Sequence, residues 1–206
     1  MPEWPQWDAV AIIASGPSTK ASDVDLLKGR LPVLAIKKNI ELAPWADAVY
    51  GCDYPWWKSV QGLPKFNGLK MAYAVNACSQ FGLTRVLIPD VRSDAICDGP
   101  IGTVGAGGSS GFQALNLAVQ FGAKRILLIG FDVQGRSGLH WYGRNTAYGM
   151  SNPTESNFRR WKAAFDGVAP GLKAKGIDVI NAGGLSDIKG FRKICVADAL
   201  AEWGMV

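Results

Sequence analysis

Short apolar runs, each stopped by a glycine or a polar cluster, recur along this 206-residue chain. Asp8 to Ala14 (DAVAIIA) stops at Ser15-Gly16-Pro17-Ser18, Pro32 to Ile36 at Lys37-Lys38-Asn39, and Asp47 to Tyr50 at Gly51-Cys52-Asp53. Runs this short, ending on turn residues, predict strands buried on both faces rather than helices. Leu69 to Tyr73 predicts a fourth short strand and Ile177 to Ile180 a last one. Other stretches carry helical spacing. Ser22 to Lys28 predicts a short helix with Ser22 as its cap and Asp23 and Asp25 in its first turn. Phe112, Leu115 and Val119 share one face of a helix from Phe112 to Gln120. Asn157 to Lys175 predicts a long helix with Phe158, Trp161, Ala164 and Phe165 inward, interrupted at Pro170-Gly171. Val196 to Trp203 predicts a closing helix.

Two segments share a local pattern. Phe81 to Ile88 (FGLTRVLI) and Phe121 to Leu128 (FGAKRILL) each read as a helix ending at glycine, a polar turn and a buried strand. We read this as one joint arising twice rather than as a duplication. The alternation of strand and helix predicts α/β architecture: a single Rossmann-like, doubly wound, mostly parallel sheet with helices on both faces, residues 1–206 forming one domain.

Composition narrows the function classes. A hydrophobic share of 48%, with eight Trp and eight Phe, supplies a core and excludes a disordered chain. Met1 to Trp7 carries acid, prolines and tryptophans, unlike a secretory leader, and no apolar run approaches the roughly 18 residues of a membrane span. A cytoplasmic location is therefore expected. Cys52, Cys78, Cys97 and Cys195 form no CxxC pair and the chain has one histidine, so reduced structural thiols are expected rather than a zinc site. The net charge of +5 permits binding to phosphates, but the basic residues are scattered and make no reading helix or basic stripe. Direct DNA recognition is not expected; DNA carrying a transferred group stays open.

In open α/β sheets ligands collect beyond the carboxyl ends of the strands. Four polar groups fall there: Gly16-Pro17-Ser18, Asn39, Asp53 and Gly130-Phe131-Asp132. Gly102 to Gly111 (GTVGAGGSSG) feeds the helix at Phe112, and its Ser109-Ser110-Gly111 end would offer unpaired amides at a positive helix terminus, a phosphate site. The plainer reading makes the loop a connector whose serine caps the helix. No P-loop and no GxGxxG dinucleotide fingerprint is present. His140 lies eight residues past Asp132 in the glycine-containing loop GLHWYGRN and is the candidate for proton transfer near neutral pH. Trp45, Trp56, Trp57 and Trp161 read as packing, with Trp56-Trp57 placed to stack on a base or sugar. Asp53 and Asp132 fit Mg²⁺ or ribose hydroxyls, or turn capping.

The blocks IIASGPS (12–18), Ser110-Gly111, ILLIGFD (126–132) and His140-Trp141-Tyr142-Gly143, in this order, resemble the DUF115 proteins (pterin pyrophosphokinase-like and flagellin-glycosylation proteins) and the bacterial sialyltransferases of glycosyltransferase family 42. Tailed-phage proteins with the same blocks look most similar. The resemblance implies a nucleotide-sugar-dependent glycosyltransferase in which His140 is the base on the acceptor hydroxyl. Gly16, Pro17, Ser18, Asn39, Asp53, Ser109, Ser110, Gly111 and Asp132 would then surround the nucleotide. It implies no obligatory metal in the sialyltransferase branch, and Mg²⁺ with diphosphate transfer in the pterin branch. The implied partners are a nucleotide-activated small molecule and a glycan, protein or modified-DNA acceptor, in the cytoplasm of a bacterium or phage-infected host, with a homo-oligomer or a non-catalytic nucleotide-binding role also open. The sialyltransferase tyrosines that hold the donor phosphate lack clear counterparts, although Tyr142 and Tyr148 are placed to substitute.

Overall fold

The computed structural model describes residues 4–146 and 148–205. Seven strands, β1 (Ala9–Ile13), β2 (Val33–Ile36), β3 (Ala48–Gly51), β4 (Leu69–Ala72), β5 (Thr84–Arg85), β6 (Arg125–Ile129) and β7 (Asp178–Asn181), form one sheet in the order β5-β4-β3-β2-β1-β6-β7. Every neighbouring pair is parallel. β1 lies in the interior of the sheet, with Ile12 opposite Leu34 on one side and Leu128 on the other. The chain winds outward from β1 to β5, then crosses back to lay β6 against the free side of β1. That reversal is the topological switch point.

Among the described residues six α-helices accompany the strands: α1 (Ala21–Asp25), α2 (Tyr54–Ser59), α3 (Val75–Phe81), α4 (Ser110–Gln120), α5 (Glu155–Ala174) and, after the last strand, α6 (Val196–Glu202). Because strand side chains alternate, Val10 and Ile12 of β1 join the core beneath α4 and α5, while Ala9, Ala11 and Ile13 join the core beneath α1, α2, α3 and α6. All five β1 residues are buried, which explains why its sequence is apolar throughout rather than alternating.

Three expectations are corrected. Ser22 lies inside α1; Lys20 occupies the N-cap position and makes no side-chain capping bond. α5 runs unbroken through Pro170. Proline there forgoes one backbone donor, at a cost of about 3 kcal/mol. Its ring faces solvent, and buried Ala169 together with Phe165, Val168 and Leu172, these last three contributing about 1.5–3 kcal/mol each, anchor the helix on both sides. The run ending at Ile88 yields only the two-residue edge strand β5, after which Leu87 bridges Thr103 instead of continuing in the sheet.

The segment that follows, 86–109, contains no helix or strand of its own. Fully buried Asn116 of α4 pins it: Oδ1 accepts the Cys97 and Gly105 amides at 2.7 and 2.9 Å, and Nδ2 donates to the Cys97 carbonyl at 3.0 Å. A loop of this length needs such internal partners for its backbone. They deliver the glycine loop to the start of α4.

Candidate functional site

At the switch point the loops after β1 and β6 lock together. The Gly16 amide donates to the Gly130 carbonyl at 2.9 Å, and the Ser18 amide donates to Asp132 Oδ2 at 2.7 Å. The Ser18 hydroxyl donates to Asp132 Oδ1 as well, and Asp132 is 1% exposed. Glycine is obligatory at 16, where a Cβ would stand 2.5 Å from both Asp132 Oδ2 and the Gly130 carbonyl. Two non-glycine residues that closely follow strand ends, Lys37 after β2 and Val133 after β6, adopt left-handed backbone with φ of 51°. For β-branched Val133 this is strained geometry, of the kind that gathers at functional sites.

Above these loops opens a cavity of about 490 Å³, walled in part by Gly16, Pro17, Lys37, Lys38, Asp53, Trp56, Ser109, Ser110, Gly111, Asp132, His140 and Tyr142. Ser109 is the N-cap of α4, its hydroxyl accepting the Phe112 amide at 3.2 Å. The Ser110 and Gly111 amides begin the helix and by position have no intrahelical acceptor, so the wall carries donors at a positive helix end. The loop is fixed from outside by Trp161, whose indole donates to the Gly108 carbonyl at 2.7 Å. On the opposite wall Lys37 forms an ion pair with Asp53.

The roof is the loop that carries His140. The Trp141 amide donates to the Ser15 carbonyl at 2.9 Å, and its indole donates to Asn39 Oδ1 at 2.8 Å. The His140 Nδ1 lies 2.9 Å from Ser15 Oγ, its Nε2 lies 3.5 Å from Asn145 Nδ2, and the ring stacks on Tyr142 with centroids 4.9 Å apart. Burial, reinforced by the Lys37 charge, holds the imidazole pKa below its ordinary 6.5, so the ring is neutral near pH 7 and able to accept a proton. Burial pushes the Tyr142 phenol up, keeping it protonated. Lys38 Nζ sits 4.6 Å from the Tyr142 ring centroid.

Eight of the ten residues singled out in the sequence line this wall: Gly16, Pro17, Asp53, Ser109, Ser110, Gly111, Asp132 and His140. Two stand behind it. Ser18 is turned into the protein against Asp132, and Asn39, 1% exposed, spends Nδ2 on the Ile36 carbonyl and Oδ1 on Trp141. Trp57 cannot stack on a ligand, because it is fully buried with its indole on the Gly51 carbonyl, whereas Trp56 reaches the wall. Tyr148 is fully exposed and away from the wall, while Tyr142 is part of it. Ser15 and Lys37, which touch or tune His140, were not among the sequence candidates. Among the described residues no cluster of three His, Cys, Asp or Glu stands ready for a metal ion.

No protein-family model matches the chain, and neither does any curated protein. The fold has a solved counterpart. A sialyltransferase from Campylobacter jejuni, whose structure was determined with the substrate analogue cytidine-5'-monophosphate, superposes with a TM-score of 0.53 over 97% of this chain and 98% of its own. At 11% identity the likeness is one of fold. A short chain dehydrogenase from Mycobacterium smegmatis aligns at a TM-score of 0.30 and 11% identity over 96% of this chain and 84% of its own, too weakly to carry an argument. No helix among the described residues is long and apolar enough to cross a membrane.

Proposed function

We propose that the protein is a nucleotide-sugar-dependent glycosyltransferase with His140 as general base. The observation that carries this reading is a neutral imidazole on the wall of a switch-point cavity that a helix N-terminus also lines. The whole-chain fold likeness to a sialyltransferase studied with cytidine-5'-monophosphate supports it. In this reading the Ser110 and Gly111 amides receive the donor phosphate, Gly16 and Pro17 let it approach the backbone closely, and Asp53 meets ribose or base. Ser18 and Asn39 act from behind and Asp132 from the wall, holding the loops in place.

As the bond from the sugar to the phosphate oxygen breaks, the acceptor oxygen bonds to the sugar carbon and His140 takes the acceptor proton. The nucleotide leaves with the electron pair, and its added charge is met by the amides and dipole of α4. This chemistry needs no metal. The Mg²⁺-dependent diphosphotransferase alternative would need free carboxylates, yet Asp132 is engaged by Ser18 and Asp53 by Lys37.

A thermal-shift screen of nucleoside mono- and diphosphates and nucleotide sugars, with and without Mg²⁺, tests the reading, with cytidine-5'-monophosphate first. A ligand at 100 times its dissociation constant stabilises by about 2.7 kcal/mol. A metal-independent shift with one nucleotide sugar, followed by transfer to an acceptor, is expected. A shift only with ATP and Mg²⁺ favours diphosphate transfer. Tight binding without turnover, unchanged by His140→Ala, favours a non-catalytic nucleotide-binding protein, and silence across the panel removes the nucleotide site.

A further inference from the structure

Ser15 and the roof residues His140, Asn145 and Tyr142 form a chain of three side-chain contacts at the cavity, and one arrangement of their protons satisfies each of them. The Asn145 amide can be oriented without ambiguity. One end lies 3.0 Å from the Ser151 carbonyl, which can only accept, so that end is the NH₂ group. The other end accepts the Tyr142 hydroxyl at 3.2 Å. Reciprocal bonds to Asn152, at 2.8 and 3.0 Å, fix the Asn145 backbone itself. The same NH₂ group faces His140 Nε2, so Nε2 carries a lone pair and not a hydrogen.

A neutral imidazole without hydrogen on Nε2 carries it on Nδ1. Nδ1 therefore donates to Ser15 Oγ at 2.9 Å. The donors then run one way along a chain: Tyr142 to Asn145, Asn145 to His140, His140 to Ser15. Bonds ordered in this way polarise one another.

We propose that Ser15 is a positioning residue that sets His140 as the Nδ1–H tautomer, leaving Nε2 as the basic atom presented to an incoming hydroxyl. The catalytic consequence rests on the glycosyltransferase reading; the tautomer does not. At 3.5 Å the Asn145 contact to Nε2 is the longest of the three, and an acceptor hydroxyl displaces it at least expense. The chain thus keeps its two shorter bonds and offers the third.

The chain has one histidine, so its imidazole ¹⁵N resonances need no assignment strategy. Protein labelled with ¹⁵N-histidine is recorded at pH 8 by long-range ¹H–¹⁵N correlation, in the wild type, Ser15→Ala and Ser15→Thr. The wild type and Ser15→Thr are expected to show a pyrrole-type Nδ1 and a pyridine-type Nε2. Ser15→Ala is expected to lose that preference with an otherwise unchanged amide spectrum. A pyridine-type Nδ1 in the wild type, or a Ser15→Ala ring identical to the wild type, overturns the proposal. So does stoichiometric labelling of Ser15 by a fluorophosphonate, which would make Ser15 a nucleophile. Turnover is read separately. With the donor identified, Ser15→Ala lowers kcat by about tenfold or more, within the about 10²–10⁴-fold that a general base supplies, at unchanged donor KM and with recovery in Ser15→Thr. A confirmed tautomer with no transfer from any donor would end the glycosyltransferase reading alone.

Discussion

The floor of the cavity, where residues 14–18 meet 129–133, and its roof, residues 138–153, are held by different kinds of bond. In the floor, backbone meets backbone: Ala14 donates to Ile129 at 2.8 Å and Gly16 to Gly130 at 2.9 Å, and the buried Asp132 carboxylate closes the join. The sheet register dictates these contacts, since β1 and β6 are paired residue for residue up to Ile13 and Ile129. Among its described residues the roof contains no strand or helix, and it turns at Gly138, Gly143 and Gly149, all at positive φ. What fixes it is mostly side chains: Trp141 on Asn39, His140 on Ser15, Asn145 on Asn152. A floor of this kind offers an anion a fixed set of donors. A roof tied by a few side-chain bonds is expected to open at lower free-energy cost than the floor. His140 rides on the roof and is tied to the floor by the Ser15 hydroxyl.

Asp132→Ala tests the floor and has the largest expected effect. It strands two Ser18 donors in a buried site and should destabilise by about 2–5 kcal/mol. For a chain of this size that lowers Tm by about 5–15 °C, and nucleotide-induced stabilisation should disappear with it. Calorimetry with and without ligand reads both. A variant that keeps its Tm would mean the floor is not the rigid part.

His140→Ala tests the roof and should behave in the opposite way. Turnover falls by about 10²–10⁴-fold, while the Tm stays within the about 1 kcal/mol of an ordinary partly exposed substitution and nucleotide still shifts it. Loss of nucleotide binding here would erase the distinction between the two regions. Trp141→Phe cuts the indole bond to Asn39 and leaves a buried acceptor without its partner, a cost of about 1–1.5 kcal/mol. Because Arg144 lies exposed in the roof, tryptic cleavage there should accelerate about tenfold while cleavage elsewhere is unchanged. Uniform acceleration would mean that roof and floor unfold together.

The floor was legible in the sequence and the roof much less so, for the same physical reason. Gly16 and Gly130 end apolar runs, and a glycine stop after a buried strand marks the carboxyl edge whatever the rest of the chain does. Asn39 also marks that edge, yet the edge argument gives no side-chain direction, and Asn39 turned inward to hold Trp141. Ser15 escaped notice because its partner is 125 residues away, and only the sheet brings the two together. The paired segments FGLTRVLI and FGAKRILL show the same limit. Both contain a glycine at positive φ, Gly82 and Gly122, but one leads to a two-residue edge strand and the other to a five-residue central one. Strand length was decided by neighbours on both sides of β6 and on one side of β5. Pro170 is a further case, since burial of α5 outweighs the local penalty that the residue signals.

The smallest expected effect concerns charge, and it joins the two regions. The His140 pKa is lowered first by burial and then by Lys37, so in the folded protein the ring takes its proton below pH 6.5, the ordinary value it regains on unfolding. As the pH falls below that value the unfolded chain binds the proton first, so the histidine's contribution to stability declines until the folded ring titrates too. The acid limb of kcat/KM should accordingly lie below 6.5, set by the folded ring. Lys37→Met removes the repelling cation and releases Asp53 from its pair, and both changes favour the imidazolium. The limb, and the ¹H titration of the single histidine, should then move upward, and a second change, Asp53→Asn, should return part of the shift. If Lys37→Met leaves the titration where it was, burial under the roof alone sets the base, and the charges at the strand ends of the floor have no part in tuning it.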